Sequence, residues 1–313
     1  MTFIETGSHG IPLLGFGSGT YYMKEEGAPE VNEVLVDMQI IALKEGFIHM
    51  DSAECYGNDL ELRQALKYVI NDGTYKREDI FITDKYFSGG DGSYETHSEC
   101  KNPYTRLQKF LQDVDTPYVD LFLLHAPFIK KETHGFDLKG AWKFMQQCKD
   151  EGLAKRIGVS NFEVKDLEEI WGLTETNPQV NQIEYNAFLQ DQTPGVVQWC
   201  RDHNVILEAY SPLGPLYKAD LAQGVGLQFK TLLKALTSKY NRSENQILLR
   251  WVIEEGIIPI STTSKKERLN ELKGVFGWKM DKEDVEKIET LGKQYIPRLR
   301  QWWNPEFGKY NNL

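Results

Sequence analysis

The chain has 313 residues, with 41% hydrophobic and 12% aromatic side chains and a formal net charge of −10. That composition supports a large hydrophobic core and excludes intrinsic disorder, and the length fits one barrel-sized domain spanning residues 1–313. The acidic balance argues against a nucleic-acid partner, which needs clustered lysine and arginine, and no apolar run approaches the roughly 18 residues of a membrane span.

The four cysteines, Cys55, Cys100, Cys148 and Cys200, form no CxxC pair and have no histidine at metal-ligand spacing. They are therefore interpreted as reduced thiols in a protein without a bound metal. The N-terminal residues lack a charged segment followed by an apolar one, so no signal peptide is predicted. We expect a cytoplasmic protein that is a monomer or a weak homodimer and has no membrane partner.

Strand-like and helix-like segments alternate along most of the chain, which is typical of βα units and a parallel sheet. A hairpin over about the first 14 residues is predicted to cover the bottom of a barrel. The predicted strands cover residues 14–17, 46–50, 80–84, 119–124, 156–160, 180–184, 205–210 and 257–260. The predicted helices cover residues 32–44, 59–70, 102–112, 138–151, 164–171, 194–203, 227–254 and 265–272. Eight such units favour a closed (β/α)₈ TIM barrel, with an open doubly wound sheet as the alternative.

Three connections are longer than a turn requires, namely residues 86–101, 126–137 and 211–227. Each follows a predicted strand, so we expect long loops on the C-terminal rim, where such loops shape binding sites. The C-terminal tail, residues 292–313, contains Trp302, Trp303, Phe307 and Tyr310. These aromatic residues either pack into the core or form a wall near the substrate site.

Three side chains that can handle protons lie just beyond predicted strands. Asp51 follows residues 46–50, Lys85 comes after 80–84, and His125 comes after 119–124. Strand ends of a parallel barrel meet on one face, so these groups are predicted to converge there together with Tyr56. A free phenol with a pKa near 10 is a weak acid, and a neighbouring lysine paired with a carboxylate would lower that pKa.

This set predicts protonation of an alkoxide during carbonyl reduction, with hydride supplied from elsewhere. An aldolase, in which Lys85 forms a Schiff base, is the alternative that uses the same lysine.

Six segments of the chain resemble the signature regions of the aldo-keto reductases. They are Met50–Gly57, Ile82–Lys85, Leu123–Pro127, Gly158–Phe162, Asn181–Tyr185 and Ala209–Gly214. They occur in the family order, and the similarity extends from about Leu14 to Arg268. The resemblance implies a barrel that binds NADPH without a Rossmann domain and reduces a small-molecule carbonyl substrate.

The resemblance also implies a role for each matching residue. Asp51, Tyr56, Lys85 and His125 would be catalytic, with Tyr56 as the proton donor. The implied cofactor contacts are Gly19, Thr20, Tyr21, Asp51, Ser160, Asn161, Gln182, Tyr210, Ser211, Leu213, Gly214, Ser261, Thr262, Thr263, Ser264, Lys265 and Arg268. The implied substrate contacts are Tyr22, Tyr56, His125, Phe128 and Trp302.

The sequence departs from the family pattern at a few positions. Ile260 stands where the family usually has lysine, and Leu272 replaces an asparagine that often contacts adenine. Hydroxyls and amides at a helix N-terminus beside Lys265 and Arg268 would still favour a phosphate, so NADPH is expected over NADH. Ala126 replaces a tryptophan found in many members and predicts a wider pocket beside His125.

Four features narrow the resemblance to the fungal branch that reduces α-keto amides, conjugated polyketones and 2-dehydropantolactone. They are the inserted Thr262–Ser264, the motif His125–Phe128, the run Gln190–Gly195 and the ending Trp303–Asn311. Two other functions remain open: a general aldehyde and ketone reductase, and a non-catalytic barrel that senses the redox state of its cofactor.

Overall fold

Eight short parallel strands close into a barrel in the computed structural model, which describes residues 5–25, 28, 30–89, 98–302 and 304–313. The strands are β1 (Gly15–Gly17), β2 (His49–Asp51), β3 (Phe81–Tyr86), β4 (Val119–Leu124), β5 (Ala154–Ser160), β6 (Val180–Glu184), β7 (Ile206–Tyr210) and β8 (Ile258–Ser261). Strand β1 pairs with both β2 and β8, so no edge is left open. The (β/α)₈ prediction is confirmed, and the open sheet is excluded.

Strand β4 contributes apolar side chains to two hydrophobic clusters, one inside the barrel and one between the barrel and the helices. Leu121 and Leu123 point to the barrel interior, where they pack with residues of other strands such as Val180. Phe122 and Leu124 join the larger cluster between the barrel and the surrounding helices. Neighbouring residues of a strand face opposite sides, so a continuous apolar run suits a strand that is covered on both sides.

Helices surround the barrel, and short helices also form within the loops on its rim. They are α1 (Glu33–Lys44), α2 (Asp59–Asn71), α3 (Pro103–Val114), α4 (Lys131–His134), α5 (Leu138–Asp150), α6 (Val164–Ile170), α7 (Val196–Asp202), α8 (Gly214–Lys218), α9 (Gly224–Tyr240), α10 (Glu244–Glu254), α11 (Lys266–Lys273), α12 (Lys282–Gly292) and α13 (Asn304–Phe307). A short 3₁₀ turn, Glu54–Tyr56, follows β2. Helices α4 and α8 lie within two of the long connections on the rim.

The single helix predicted over residues 227–254 is wrong, because the segment is divided into α9 and α10. Asn241 adopts a left-handed conformation with φ of 50°, which ends α9. Ser243 then caps α10, and its side chain accepts a hydrogen bond from the backbone N–H of Gln246. Asparagine tolerates the left-handed region, and serine followed three residues later by glutamine is a capping box, so the break has a local cause.

The N-terminal segment covers the end of the barrel opposite the strand carboxyl ends. Thr6 and Pro12 form an antiparallel bridge. Ile11 is buried and packs with the interior residues Phe81 and Ile258 near the starts of their strands. This arrangement agrees with the predicted hairpin, whose first four residues lie outside the described part of the chain.

The C-terminal tail returns across the rim of the barrel. Phe307 is buried against Phe128, whereas Trp302 remains partly exposed. The tail therefore combines both expected arrangements, packing and an aromatic wall, while Trp303 lies outside the described residues, as do residues 90–97 of the first long connection. No helix in the described ranges is long and apolar enough to cross a membrane.

Candidate active site

An ion pair between Asp51 and Lys85 lies inside the barrel at the carboxyl ends of β2 and β3. The Lys85 Nζ atom lies 2.7 Å from Asp51 Oδ1 and donates a second bond to the Ser52 carbonyl at 2.9 Å. Burial favours the neutral amine, but the charge of Asp51 outweighs it and raises the pKa of Lys85 above its ordinary value. Lys85 is therefore a fixed ammonium at neutral pH.

A protonated lysine without access to the cavity contradicts the aldolase alternative. A Schiff base requires a neutral amine that can reach a substrate carbonyl. Lys85 is fully buried and its Nζ atom is held by two oxygens, so it meets neither requirement.

Tyr56 lies on the 3₁₀ turn after β2, with its ring against Gly19. A Cβ atom added at Gly19 would come within 2.8 Å of Tyr56 Cζ, so any side chain there would displace the phenol. The Lys85 Nζ atom is 5.2 Å from the centre of the Tyr56 ring. Burial raises the pKa of Tyr56 above its ordinary value, although Lys85 acts in the opposite direction. The predicted effect of Lys85, which lowers the pKa of Tyr56, is present, but desolvation of the phenolate outweighs it and the net pKa is raised.

His125 follows β4 and lies beside the phenol, with 5.9 Å between the two ring centres. Burial and the nearby Lys85 hold the pKa of His125 well below its usual range. The imidazole is therefore neutral at pH 7 and carries one N–H donor. Asp51, Tyr56, Lys85 and His125 are thus brought together as the sequence predicted.

A hydrogen-bonded group of polar side chains follows β5, β6 and β7. Asn161 and Ser211 have positive φ values of 61° and 54°, which turn the chain sharply at two strand ends. Asn161 Nδ2 donates to the His125 carbonyl at 2.9 Å, and Tyr210 donates from its hydroxyl to Asn161 Oδ1 at 2.7 Å. Ser160 lies behind this group and donates to a backbone carbonyl at 2.8 Å. Positive φ is costly for residues other than glycine and is common at functional sites.

These residues surround a cavity of about 520 Å³ on the carboxyl side of the barrel. The predicted site residues that line it are Gly19, Thr20, Tyr21, Asp51, Tyr56, His125, Asn161, Gln182, Tyr210, Ser211, Leu213, Gly214, Ser261, Thr262, Arg268 and Trp302. Contributions come from both ends of the chain, so the cavity exists only in the folded barrel.

The end of the cavity near β8 carries hydroxyl and cationic groups. Ser261, Thr262 and Arg268 line it together with Ile260. The buried Thr262 Oγ1 atom has no hydrogen-bond partner, and the Arg268 guanidinium forms no ion pair within the described part of the chain. An unpartnered hydroxyl beside an unpaired guanidinium suits an anionic group.

Three other residues predicted for this region lie outside the cavity lining. Ser264 and Lys265 are exposed, whereas Thr263 is buried and its Oγ1 atom accepts a hydrogen bond from the Lys265 N–H at 3.0 Å. Leu272 is buried in the main hydrophobic cluster and is not available for a polar contact.

Some of the predicted substrate contacts also line the cavity, and others do not. Trp302 lines the cavity, but Tyr22 and Phe128 do not. The Tyr22 hydroxyl donates to the Thr263 carbonyl at 3.0 Å, and Phe128 packs against Phe307. The wider pocket inferred from Ala126 is also wrong, because this fully buried residue packs with Phe128 and Phe307 rather than lining the cavity.

Several cavity residues were not identified from the sequence. Phe87 lies in a long connection, Met23 in the loop between β1 and α1, and Gln301 in the tail. All three line the cavity, but periodicity gives no signal in such segments. Cys55, which the sequence places next to Tyr56, also lines it, and burial raises the pKa of this thiol to about 12. The thiol is therefore protonated at neutral pH.

Glu208 was missed because its neighbours in β7 give no reason to single it out. It is fully buried, and its Oε2 atom accepts a hydrogen bond from Gln182 Nε2 at 2.8 Å, while the same Nε2 atom lies 2.9 Å from Asp51 Oδ2. His49, Asp51 and Glu208 place possible ligand atoms within 4.8 Å of one another. The Lys85 ammonium on Asp51 would repel a cation at that position.

Comparisons with known proteins agree with this geometry. A family model described as the aldo/keto reductase family matches residues 13–293. An NADPH-dependent alpha-keto amide reductase of Saccharomyces cerevisiae is 42% identical over 304 residues, covering 96% of this chain and 93% of that protein. An NAD/NADP-dependent indole-3-acetaldehyde reductase of Schizosaccharomyces pombe is 38% identical over 290 residues, covering 92% and 94%.

Solved structures show the same barrel. An aldo/keto reductase from Brucella melitensis has a TM-score of 0.71 and 30% identity, covering 91% of this chain and 97% of its own. An aldo-keto reductase from Bombyx mori in complex with NADP has a TM-score of 0.76 and 26% identity, covering 91% of each chain. The predicted oxidoreductase class and the similarity to the fungal branch are confirmed. This chain belongs to the aldo/keto reductase family.

Proposed function

We propose that this protein is an NADPH-dependent reductase of activated ketones, with Tyr56 as the proton donor. The observation that carries the proposal is the position of the Tyr56 phenol. It lines the cavity, with the Asp51–Lys85 ion pair behind it and the neutral His125 beside it.

The cavity has the donors that NADPH requires at its two ends. Asn161, Gln182 and Tyr210 would hold the nicotinamide end, and Thr262 and Arg268 would hold a phosphate. The orphaned Thr262 hydroxyl and the unpaired guanidinium support the phosphorylated form of the cofactor. The names of the S. cerevisiae and B. mori relatives, which mention NADPH and NADP, support the same choice.

The side chains of the site hold and move one proton. When bound, NADPH supplies the hydride that reduces the carbonyl carbon. Tyr56 remains protonated at neutral pH because burial raises its pKa, so its O–H can donate to the carbonyl oxygen and transfer the proton as negative charge develops there. His125, neutral at the same pH, can donate its N–H to that oxygen, and Lys85 stabilises the phenolate left behind.

The proposed substrates are ketones next to another carbonyl: 2-dehydropantolactone, conjugated polyketones and α-keto amides. The adjacent carbonyl makes the reacting carbon more electrophilic, which suits a site that relies on hydrogen bonds. The name of the S. cerevisiae relative supports this class. The aromatic residues Tyr21, Phe87 and Trp302 give the cavity a wall for a bulky substituent. A general aldehyde reductase is the second candidate, favoured by the name of the S. pombe relative.

Oxidation of NADPH and NADH, followed at 340 nm with a carbonyl panel, tests this proposal. The panel contains 2-dehydropantolactone, isatin, diacetyl and simple aldehydes. We expect higher kcat/KM for the dicarbonyl compounds and for NADPH. A preference for simple aldehydes would contradict the substrate class, and no turnover of any compound would favour the redox-sensing barrel.

We also propose a cytoplasmic monomer or weak homodimer. The four cysteines are free in the structure, which supports a reducing compartment. Light scattering coupled to size-exclusion chromatography measures the oligomeric state directly.

A further inference from the structure

Glu184, the last residue of β6, connects the barrel to the C-terminal tail. Its side chain is only 1% exposed. The Oε1 atom accepts a hydrogen bond from the Gln301 backbone N–H at 2.7 Å, and the Oε2 atom accepts one from the Trp302 N–H at 3.2 Å. Both oxygens of one buried carboxylate are thus used to hold two consecutive residues of the tail.

Those two residues form part of the cavity. Gln301 and Trp302 both line it, and Trp302 is 41% exposed. A half-exposed indole receives limited support from packing of its own side chain. The direction in which it projects therefore depends on how firmly its backbone is held.

A carboxylate suits this position better than a neutral amide would. It accepts hydrogen bonds at both oxygens and donates none, so it matches two N–H donors, whereas glutamine offers one acceptor and one NH₂ group. Burial raises the pKa of Glu184 to about 7, while the two backbone N–H groups and the charge of Arg300 favour its ionised form. Arg300 is itself held by the Gln192 carbonyl at 2.9 Å.

The side chain of Glu184 can be changed without breaking the link between β6 and the cofactor end of the cavity. That link runs through the backbone: the Glu184 N–H donates to Gln192 Oε1 at 2.5 Å, and Gln192 Nε2 donates to Asn161 Oδ1 at 3.0 Å. A substitution of the Glu184 side chain should therefore change how the tail is held and leave this backbone link in place.

We propose that Glu184 is a positioning residue for substrate recognition. Its carboxylate fixes the backbone of Gln301 and Trp302, so that their side chains form a rigid wall favouring ketones with an aromatic substituent over small dicarbonyl compounds. This inference rests on the proposed function for its substrates, but the anchoring itself can be measured separately.

Glu184→Gln is the test, with Glu163→Gln as its matched control. Glu163 also holds the tail, through a 2.7 Å hydrogen bond from the Tyr310 hydroxyl, but it does not line the cavity. In Glu184→Gln we expect KM for isatin to rise about tenfold with kcat little changed, because one charge-assisted hydrogen bond is lost. KM for diacetyl should stay within about twofold in both variants, and Glu163→Gln should leave both substrates within that range.

Trp302→Ala completes a double-mutant cycle. It should raise KM for isatin by a similar factor, and combining it with Glu184→Gln should add little, because both changes remove the same wall. Equal losses for isatin and diacetyl, or fully additive effects of the two substitutions, would overturn the inference.

Hydrogen exchange of the peptide that contains residues 299–302 tests the anchoring without any substrate. We expect exchange about tenfold faster in Glu184→Gln than in the wild type, and unchanged in Glu163→Gln. Unchanged exchange in Glu184→Gln refutes the anchor.

If the wild type oxidises NADPH with neither ketone, the proposed function fails while this measurement still decides the role of Glu184. Glu184→Asp, which keeps the charge but shortens the side chain, serves if Glu184→Gln does not fold.

Discussion

At the scale of single residues, the site depends on how burial changes the charge of a few side chains. Lys85 stays charged because Asp51 is 2.7 Å away, whereas burial keeps His125 neutral and Tyr56 protonated. The sequence predicted which of these residues would meet, because each lies at or near the end of a strand. It could not predict the net shift of the Tyr56 pKa, which depends on how much protein surrounds the ring.

Glu208 provides a residue-scale prediction with a definite pH dependence. Burial raises the pKa of Glu208 from 4.5 to about 7. The unfolded chain therefore loses this proton first as pH rises, and the wild type loses stability between about pH 4.5 and pH 7. Glu208→Gln stays neutral and can still accept a hydrogen bond from Gln182, so its stability should rise relative to the wild type by roughly 3 kcal/mol across that range.

Urea unfolding of both proteins at pH 4.5 and pH 8 measures this difference. Comparison with the wild type at each pH cancels the titration of the other buried carboxyl groups. A difference in unfolding free energy that is the same at both pH values would show that Glu208 does not titrate with the raised pKa.

At the scale of elements, hydrophobic periodicity predicted the strands well because each short strand is covered on both sides. The prediction failed over residues 227–254, where the polar run Asn241–Gln246 interrupts the apolar spacing and the chain turns at Asn241. Helix α12 was also missed, although Val285, Ile288 and Leu291 follow a helical spacing. Local capping, rather than the apolar pattern, determines where α9 ends and α10 begins.

Ser243→Ala tests this explanation. The substitution removes the side-chain acceptor for the Gln246 N–H and should lower the free energy of unfolding by about 1 kcal/mol. Because the cap does not line the cavity, kcat/KM should not change. Ser238→Ala, on the exposed face of α9, is a suitable control and should change stability by less than about 0.5 kcal/mol. Equal stability of the Ser243→Ala variant and the wild type would mean that the break depends on tertiary packing instead.

At the scale of the whole molecule, the closed barrel brings residues from Gly17 to Trp302 to one cavity. The order of the strands was enough to predict which residues meet at the rim of the barrel, since β1 to β8 are neighbours in chain order. The proposed substrate contacts were harder to predict from the sequence, because they come from loops and from the C-terminal tail. The side chains of Tyr22 and Phe128 are buried and do not line the cavity, and the tail residue Phe307 packs beside Ala126. The motif around Ala126 therefore did not predict the shape of the pocket.

We propose that the Tyr56 phenol donates the proton to the substrate. Tyr56→Phe keeps the ring beside Gly19 and removes only the hydroxyl. Steady-state oxidation of NADPH with isatin, compared with NADPH binding measured by fluorescence titration, tests the claim most directly. We predict that kcat falls by at least about 10²-fold while the Kd for NADPH changes less than about threefold. Turnover close to that of the wild type in this variant would contradict the account.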